Sequence, residues 1–155
     1  MTATRVHPRA GAIGPGSVRY ELEIARRPPR ILLADDDNRL RELLASVLRR
    51  DGFEVIEAAD GGELLEHIGD LILRPPAGSA AIDLVIADIC MPLATGLDVL
   101  AGLRHADWAT PFILMTAFAD DETRREAARL GAALVFDKPF DLDDLRIAAL
   151  HWARP

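Results

Sequence analysis

The chain has one cysteine, Cys90, so no disulfide can close within it, and such sparing use of thiol fits a reducing cytoplasm. No apolar run approaches the roughly 18 residues needed to cross a membrane. The four histidines, His7, His67, His105 and His151, show no metal-ligand spacing and read as surface residues. Positive charge is missing where nucleic acid would need it: residues 31–155 carry 12 basic and 23 acidic side chains. An acidic body has little field with which to grip a phosphate backbone. Lysine is the scarcest charged residue of all. Lys138 stands alone among 18 basic residues, the rest being arginine.

What is present fits one domain, since 155 residues at 50% apolar content are enough for a good core. Residues 1–28 stand apart and read as a disordered basic leader. Residues 1–30 hold six Arg against two Glu, and Gly11, Gly14, Pro15, Gly16, Pro28 and Pro29 leave little room for regular structure. Val18 to Ile24 could extend as a short strand. The leader is Arg-rich but lacks the apolar centre of a secretory signal. A docking arm for an acidic partner, or for the acidic body itself, is the alternative reading.

Beyond residue 28, short apolar runs alternate with helical patterns. Ile31–Ala34, Leu84–Ala87 and Phe112–Met115 are continuous stretches of the kind expected for strands buried on both faces of a parallel sheet. Phe53–Ile56 and Ala133–Phe136 supply two more strands. Leu40, Leu43, Leu44, Val47 and Leu48 share one helical face, as do Leu64, Ile68, Leu71 and Ile72. Weaker helical signals cover Gly96–Leu103, Glu122–Leu130 and Leu142–Trp152. The β-α order, repeated five times, predicts a single doubly wound α/β domain.

In such sheets, ligand sites form beyond the carboxyl ends of the strands. Here four strands end in Asp35-Asp36, Asp88, Thr116 and Lys138, and parallel strands bring all four to one edge. Clustered carboxylates repel and raise each other's pKa unless a cation intervenes. Hard oxygen ligands of this kind suit Mg²⁺ or Mn²⁺. One carboxylate can then attack phosphorus, while the metal and Lys138 neutralise charge and the Thr116 hydroxyl donates to a phosphoryl oxygen. Lysine offers a compact charge where a guanidinium would be too wide, which explains its retention at position 138. The plainer alternatives are a leftover surface lysine, helix capping by Asp35 and Asp36, a turn role for Asp88 before Met91-Pro92, and a β-branched strand end at Thr116. Capping accounts for one aspartate but not for three in a row, and Asn38 could supply the cap.

The ordered set resembles the receiver domain of two-component response regulators. The matching residues are Asp35-Asp36, Asp88-Ile89-Cys90-Met91-Pro92, Gly96, Thr116-Ala117 and Lys138-Pro139-Phe140, over residues 29–153. The resemblance implies a five-stranded, flavodoxin-like (βα)5 fold. It implies that Asp88 accepts a phosphoryl group, that Asp35, Asp36, Asp88 and the Cys90 carbonyl hold Mg²⁺, and that Thr116 and Lys138 contact the phosphoryl oxygens. It also implies a cis Lys138-Pro139 bond. The implied partners are a sensor histidine kinase or phosphotransfer protein and a downstream protein target, in a monomer or phosphorylation-dependent dimer. Such a chain is a switch and not a turnover enzyme.

Departures from the pattern matter as much. Val135 falls where many receivers carry a switch aromatic, with Phe136 beside it. Cys90 and Phe118 replace polar residues near the path of hydrolytic water, and Thr95 replaces a frequent acid. The segment Arg74–Ala81 lengthens one connection with loop-like composition. Only Ala153-Arg154-Pro155 follows the fifth helix, so the expectation is a stand-alone receiver. A phosphate-independent interaction module is the alternative. An Asp-nucleophile phosphatase would need a second aspartate that Asp88-Ile89-Cys90 lacks.

Overall fold

In the computed structural model the described residues are 27–73 and 81–153. The leader up to residue 26 and positions 74–80 of the expected surface loop lie outside them. The order is β1 (Arg30–Ala34), α1 (Asn38–Arg50), β2 (Glu54–Ala58), α2 (Gly61–Leu73), β3 (Leu84–Asp88), α3 (Gly96–His105), β4 (Phe112–Thr116), α4 (Asp121–Arg129), β5 (Leu134–Asp137) and α5 (Leu142–Trp152). All strand pairings are parallel, in the order β2-β1-β3-β4-β5. This is the doubly wound arrangement anticipated from the β-α alternation, in the five-stranded flavodoxin-like form that the receiver-domain resemblance implies.

The uninterrupted apolar runs make sense as two interleaved faces, because successive strand side chains point to opposite sides. Leu32, Ala34, Val85, Ala87, Phe112 and Leu114 form one buried layer with α2, α3 and α4 through Leu64, Ile68, Val99, Leu100 and Ala127. Ile31, Leu33, Leu84, Ile86, Ile113 and Met115 form the other with α1 and α5 through Leu44, Leu48, Leu145 and Ala149. A helix covers each face of the central strands, so no polar alternation is possible there.

Several sequence expectations shift at the margins. β2 begins at Glu54, one residue late, although Phe53 is still buried against α1. β5 lies at the sheet edge and is only half covered, with Leu134 and Asp137 exposed. Leu43 and Ile72 belong to the apolar patterns of their helices but face solvent, since each helix buries a narrower stripe than its sequence offers. Ala45 takes the buried place on α1 instead. Of the histidines within the described residues, His105 and His151 are exposed and His67 is half-buried.

The N-terminal approach to β1 is anchored. Arg27 grips Asp83 with two hydrogen bonds of 2.8 and 2.9 Å, and the Arg30 backbone N–H donates to the same carboxylate at 2.7 Å. Asp83 is buried, so this paired charge fastens the start of β1 beside the start of β3. At the far side, Arg146 on α5 forks onto Asp51 at the end of α1, at 2.7 Å on each oxygen. The guanidinium bonds hold the Asp51 carboxyl below its ordinary pKa.

Two glycines on helices illustrate how tightly the functional edge is packed. A Cβ on Gly96 would stand 2.6 Å from the Asp88 carbonyl oxygen, whereas a Cβ on Gly69, within α2, would meet nothing within 4 Å. Gly96→Ala should therefore destabilise the fold by about 1–3 kcal/mol through overpacking. Gly69→Ala should stabilise it by about 0.5–1 kcal/mol, because only the helix propensity changes. Urea midpoints of the two variants check the contrast: a common sign for both would contradict it.

Candidate functional site

Each candidate side chain is delivered by a strand end. Asp35 follows β1, Asp88 and Thr116 are the last residues of β3 and β4, and Lys138 follows the last residue of β5. The chain passes from β1 out to β2 and back across to β3, so the strand order reverses between β1 and β3. A crevice opens at such a switch point. Asp35 and Asp88 flank it.

The Lys138 ammonium ties the edge together, donating to Asp35 Oδ2 at 2.8 Å and to Asp88 Oδ2 at 3.0 Å. Asp35 is fully buried and Asp88 is 5% exposed. Carboxylates this poorly hydrated are tolerated only when paired and hydrogen-bonded. The remaining Asp35 oxygen accepts from the Asp37 N–H at 2.9 Å, and that of Asp88 from the Cys90 N–H at 3.1 Å. Burial pushes the Asp88 pKa up. The Lys138 hydrogen bond opposes that shift and the nearby Asp35 charge reinforces it. Burial also penalises the Lys138 charge, but the bonds to Asp35 and Asp88 outweigh the penalty and its pKa rises.

Oxygens of Asp35, Asp36 and Asp88 lie within 4.8 Å of one another. Three hard anionic donors at that separation fit a divalent cation such as Mg²⁺, and one ammonium leaves part of their negative charge unbalanced. The Cys90 side chain is exposed, and its backbone follows Asp88 through the hydrogen bond just described.

Other acids on this edge do different work. Asp37 caps α1, accepting from the N–H groups of Arg39 and Leu40, so Asn38 is not the cap. Asp60, Asp120 and Asp141 likewise accept from first-turn N–H groups, at 2.9, 2.7 and 2.8 Å. Capping is thus satisfied without Asp35, Asp36 or Asp88. Thr95 caps α3 through a reciprocal capping box with Asp98.

Thr116 is buried at the strand end, but its hydroxyl is engaged within its own loop. It donates to the Phe118 carbonyl at 3.0 Å and accepts from the Phe118 N–H at 3.2 Å. Phe118 itself is 78% exposed. Val135 is half-buried against the α2–α3–α4 layer, while Phe136 points to the opposite face and tilts against Phe140 at 5.4 Å. The Lys138-Pro139 bond is cis. Two residues of this edge escaped sequence reading. Gly61 lies where any Cβ would strike the Ala94 carbonyl, and Arg41 donates to the Asp35 carbonyl at 2.7 Å. Arg41 sits six residues beyond Asp35, in a helix that carries four arginines, so nothing in its spacing distinguishes it.

The family model of the response regulator receiver domain matches residues 31–150. Regulatory protein AtoC of Escherichia coli is 39% identical over 118 residues, which cover 76% of this chain and 24% of AtoC. The chain therefore spans about a quarter of that relative. Sporulation initiation phosphotransferase F of Bacillus subtilis is 33% identical over 119 residues, 77% of this chain and 89% of that protein. The structure of response regulator protein TrrA from Thermotoga maritima, in complex with Mg(2+)-BeF, aligns with a TM-score of 0.65 and 32% identity. That alignment covers 79% of this chain and 97% of TrrA.

The raised Asp88 pKa has a consequence for stability. The folded chain binds this proton more tightly than the unfolded chain, so stability falls as pH rises through the window above the ordinary carboxylate value. The cost grows as Asp88 ionises towards neutral pH. Asp88→Asn removes it and leaves Lys138 paired with Asp35. Without Mg²⁺ the variant should unfold at higher urea than the parent at pH 7, with the gap narrowing as pH is lowered towards the carboxylate range. A gap of the same size at both pH values would refute the assignment.

Proposed function

The chain belongs to the response regulator receiver domain family, and from that premise we propose that it is a switch that accepts a phosphoryl group on Asp88. Receiver domains are signalling modules of two-component systems and bind Mg²⁺ at an acidic pocket; the cluster of Asp35, Asp36 and Asp88 is that pocket here. The observation that carries the reading is the placement of Lys138 between Asp35 and Asp88, at the switch point of the sheet.

The donor is the phosphohistidine of a sensor kinase or phosphotransfer protein. An Asp88 oxygen attacks phosphorus as the P–N bond to the donor breaks. The new O–P bond makes an acyl phosphate, and the imidazole departs with the electron pair of the broken bond and takes up a proton. Asp35 and Asp36, with Asp88 and the Cys90 carbonyl, would hold Mg²⁺, which supplies charge neutralisation at the phosphoryl oxygens. Lys138 already contacts Asp88 and stays close enough to meet one of the new oxygens. The Thr116 hydroxyl has first to leave Phe118, whose backbone it now holds on both sides. Phosphorylation thereby couples to the loop between β4 and α4. No described helix is long and apolar enough to cross a membrane, and the output is a protein contact.

Acetyl phosphate with Mg²⁺ tests the reading. The intact mass of the chain should rise by one phosphoryl group, and Asp88→Asn should abolish the gain while remaining folded. Labelling of that variant under the same conditions would exclude Asp88 as acceptor. No labelling of the parent would leave a phosphate-independent interaction module.

The lifetime of the phosphorylated state follows from Cys90 and Phe118. Both are exposed beside the site, so the Phe118 ring is not packed beneath α4. A thiol bonds water weakly and a phenyl ring offers no orienting group, so in-line attack by water on the acyl phosphate is poorly placed. Self-dephosphorylation should be slow, with Phe118→Glu or Cys90→Asn accelerating it. The decay of the mass shift measures this. Loss within seconds in the parent, or unchanged decay in both variants, contradicts it.

A further inference from the structure

Asp35 and Asp36 are adjacent carboxylates of one cluster, yet they are held very differently. Asp35 is restrained on every side. Its N–H donates to the Ala58 carbonyl at 3.2 Å, its carboxylate accepts from Lys138 and Asp37, and its carbonyl accepts from Arg41 Nη1 at 2.7 Å. Asp36 is exposed, and among the described residues no hydrogen bond reaches its carboxylate. Repulsion from Asp35 and Asp88 should turn it to solvent, but its oxygen remains within 4.8 Å of theirs. Only its backbone can aim it.

The Asp35 carbonyl belongs to the planar peptide that leads into Asp36, so pinning that oxygen fixes the direction from which the Asp36 side chain departs. Arg41 is well prepared for this. Its side chain is 11% exposed, its Nε donates to Glu57 Oε2 at 3.3 Å, and its Nη2 donates to Asn38 Oδ1. One planar fork therefore meets α1, β2 and the β1–α1 loop together. Glu57 faces Arg41 and also Arg49, whose Nη1 lies 3.0 Å from its other oxygen, so Arg41 keeps positive charge beside the acidic cluster. That charge would repel a cation, so any support Arg41 gives to cation binding is geometric. We infer that Arg41 is a positioning residue that aims the Asp36 carboxylate into the cation site through the Asp35–Asp36 peptide. The inference rests on the Mg²⁺ reading of the acidic cluster.

Calorimetric titration of the full chain with Mg²⁺ tests it, with urea unfolding in chelator as the control for folding. Arg41→Gln should weaken Mg²⁺ binding about tenfold, the lower end for residues that orient metal ligands. Arg41→Lys keeps the charge opposite Glu57 but loses the fork, and should weaken binding similarly. In an Asp36→Asn background, Arg41→Gln should change affinity by less than about twofold, because the group it aims no longer carries charge. Equal losses in both backgrounds would mean a structural role only and overturn the inference, as would unchanged affinity in both Arg41 variants. A parent chain that binds no Mg²⁺ would overturn the cation site itself, an outcome distinct from a parent that binds and an Arg41→Gln variant that binds equally well.

Discussion

A single ammonium set between two buried carboxylates is the interaction on which the functional edge depends. Without Lys138, the buried Asp35 and Asp88 would face each other across the crevice with no counter-charge between them. A buried ion pair gives little net stability, because desolvation offsets most of the attraction, but removing one partner leaves a costly orphan charge. The consequence is strategic. The cluster of Asp35, Asp36 and Asp88 holds two more negative charges than Lys138 neutralises, an excess suited to a divalent cation. Lys138 reaches this place only because β5 lies beyond β4 and delivers the lysine from the side, one residue after the last of the strand.

The division of labour among the acids on this edge is equally physical. Asp37, Asp60, Asp120 and Asp141 each bind first-turn N–H groups, so each stabilises a helix start and draws on the positive end of its dipole. These four stand at or after the turn, with Asp37, Asp120 and Asp141 exposed and Asp60 half-buried. Asp35 and Asp88 sit on the strand side of the turn, inside the packed layer. A shift of two residues along the chain separates the exposed cap Asp37 from the buried Asp35.

The connections away from the site explain how a small sheet holds this geometry. Arg27 and Asp83 fasten the amino ends of β1 and β3, and Arg146 and Asp51 join α5 to α1. The site lies at the opposite ends of β1 and β3, where Gly96 and Gly61 allow backbone to close in on the Asp88 and Ala94 carbonyls. The β4–α4 loop closes on itself through the two Thr116–Phe118 hydrogen bonds. Val135 packs in place, and the exposed ring on this edge belongs to Phe118.

Much of this was legible from the residues alone. Five strands, five helices, their order, and the convergence of Asp35, Asp36, Asp88, Thr116 and Lys138 all follow from continuous apolar runs ending in polar residues, because parallel strands must end on the same side. Local chemistry of that kind is written in contiguous sequence. Three-dimensional packing decided what contiguity cannot express. Leu43 and Ile72 fit their helical stripes but remain outside, since burial depends on how wide a face the sheet offers. Asp37, and not Asn38, caps α1, because the turn after β1 aims that carboxylate at the helix start. Arg41 is one arginine among many until α1 and β2 bring it under the Asp35 carbonyl. Sequence determined which groups share the edge. Only the fold decided which of them face one another, because strand order and helix docking set distances between residues far apart in the chain.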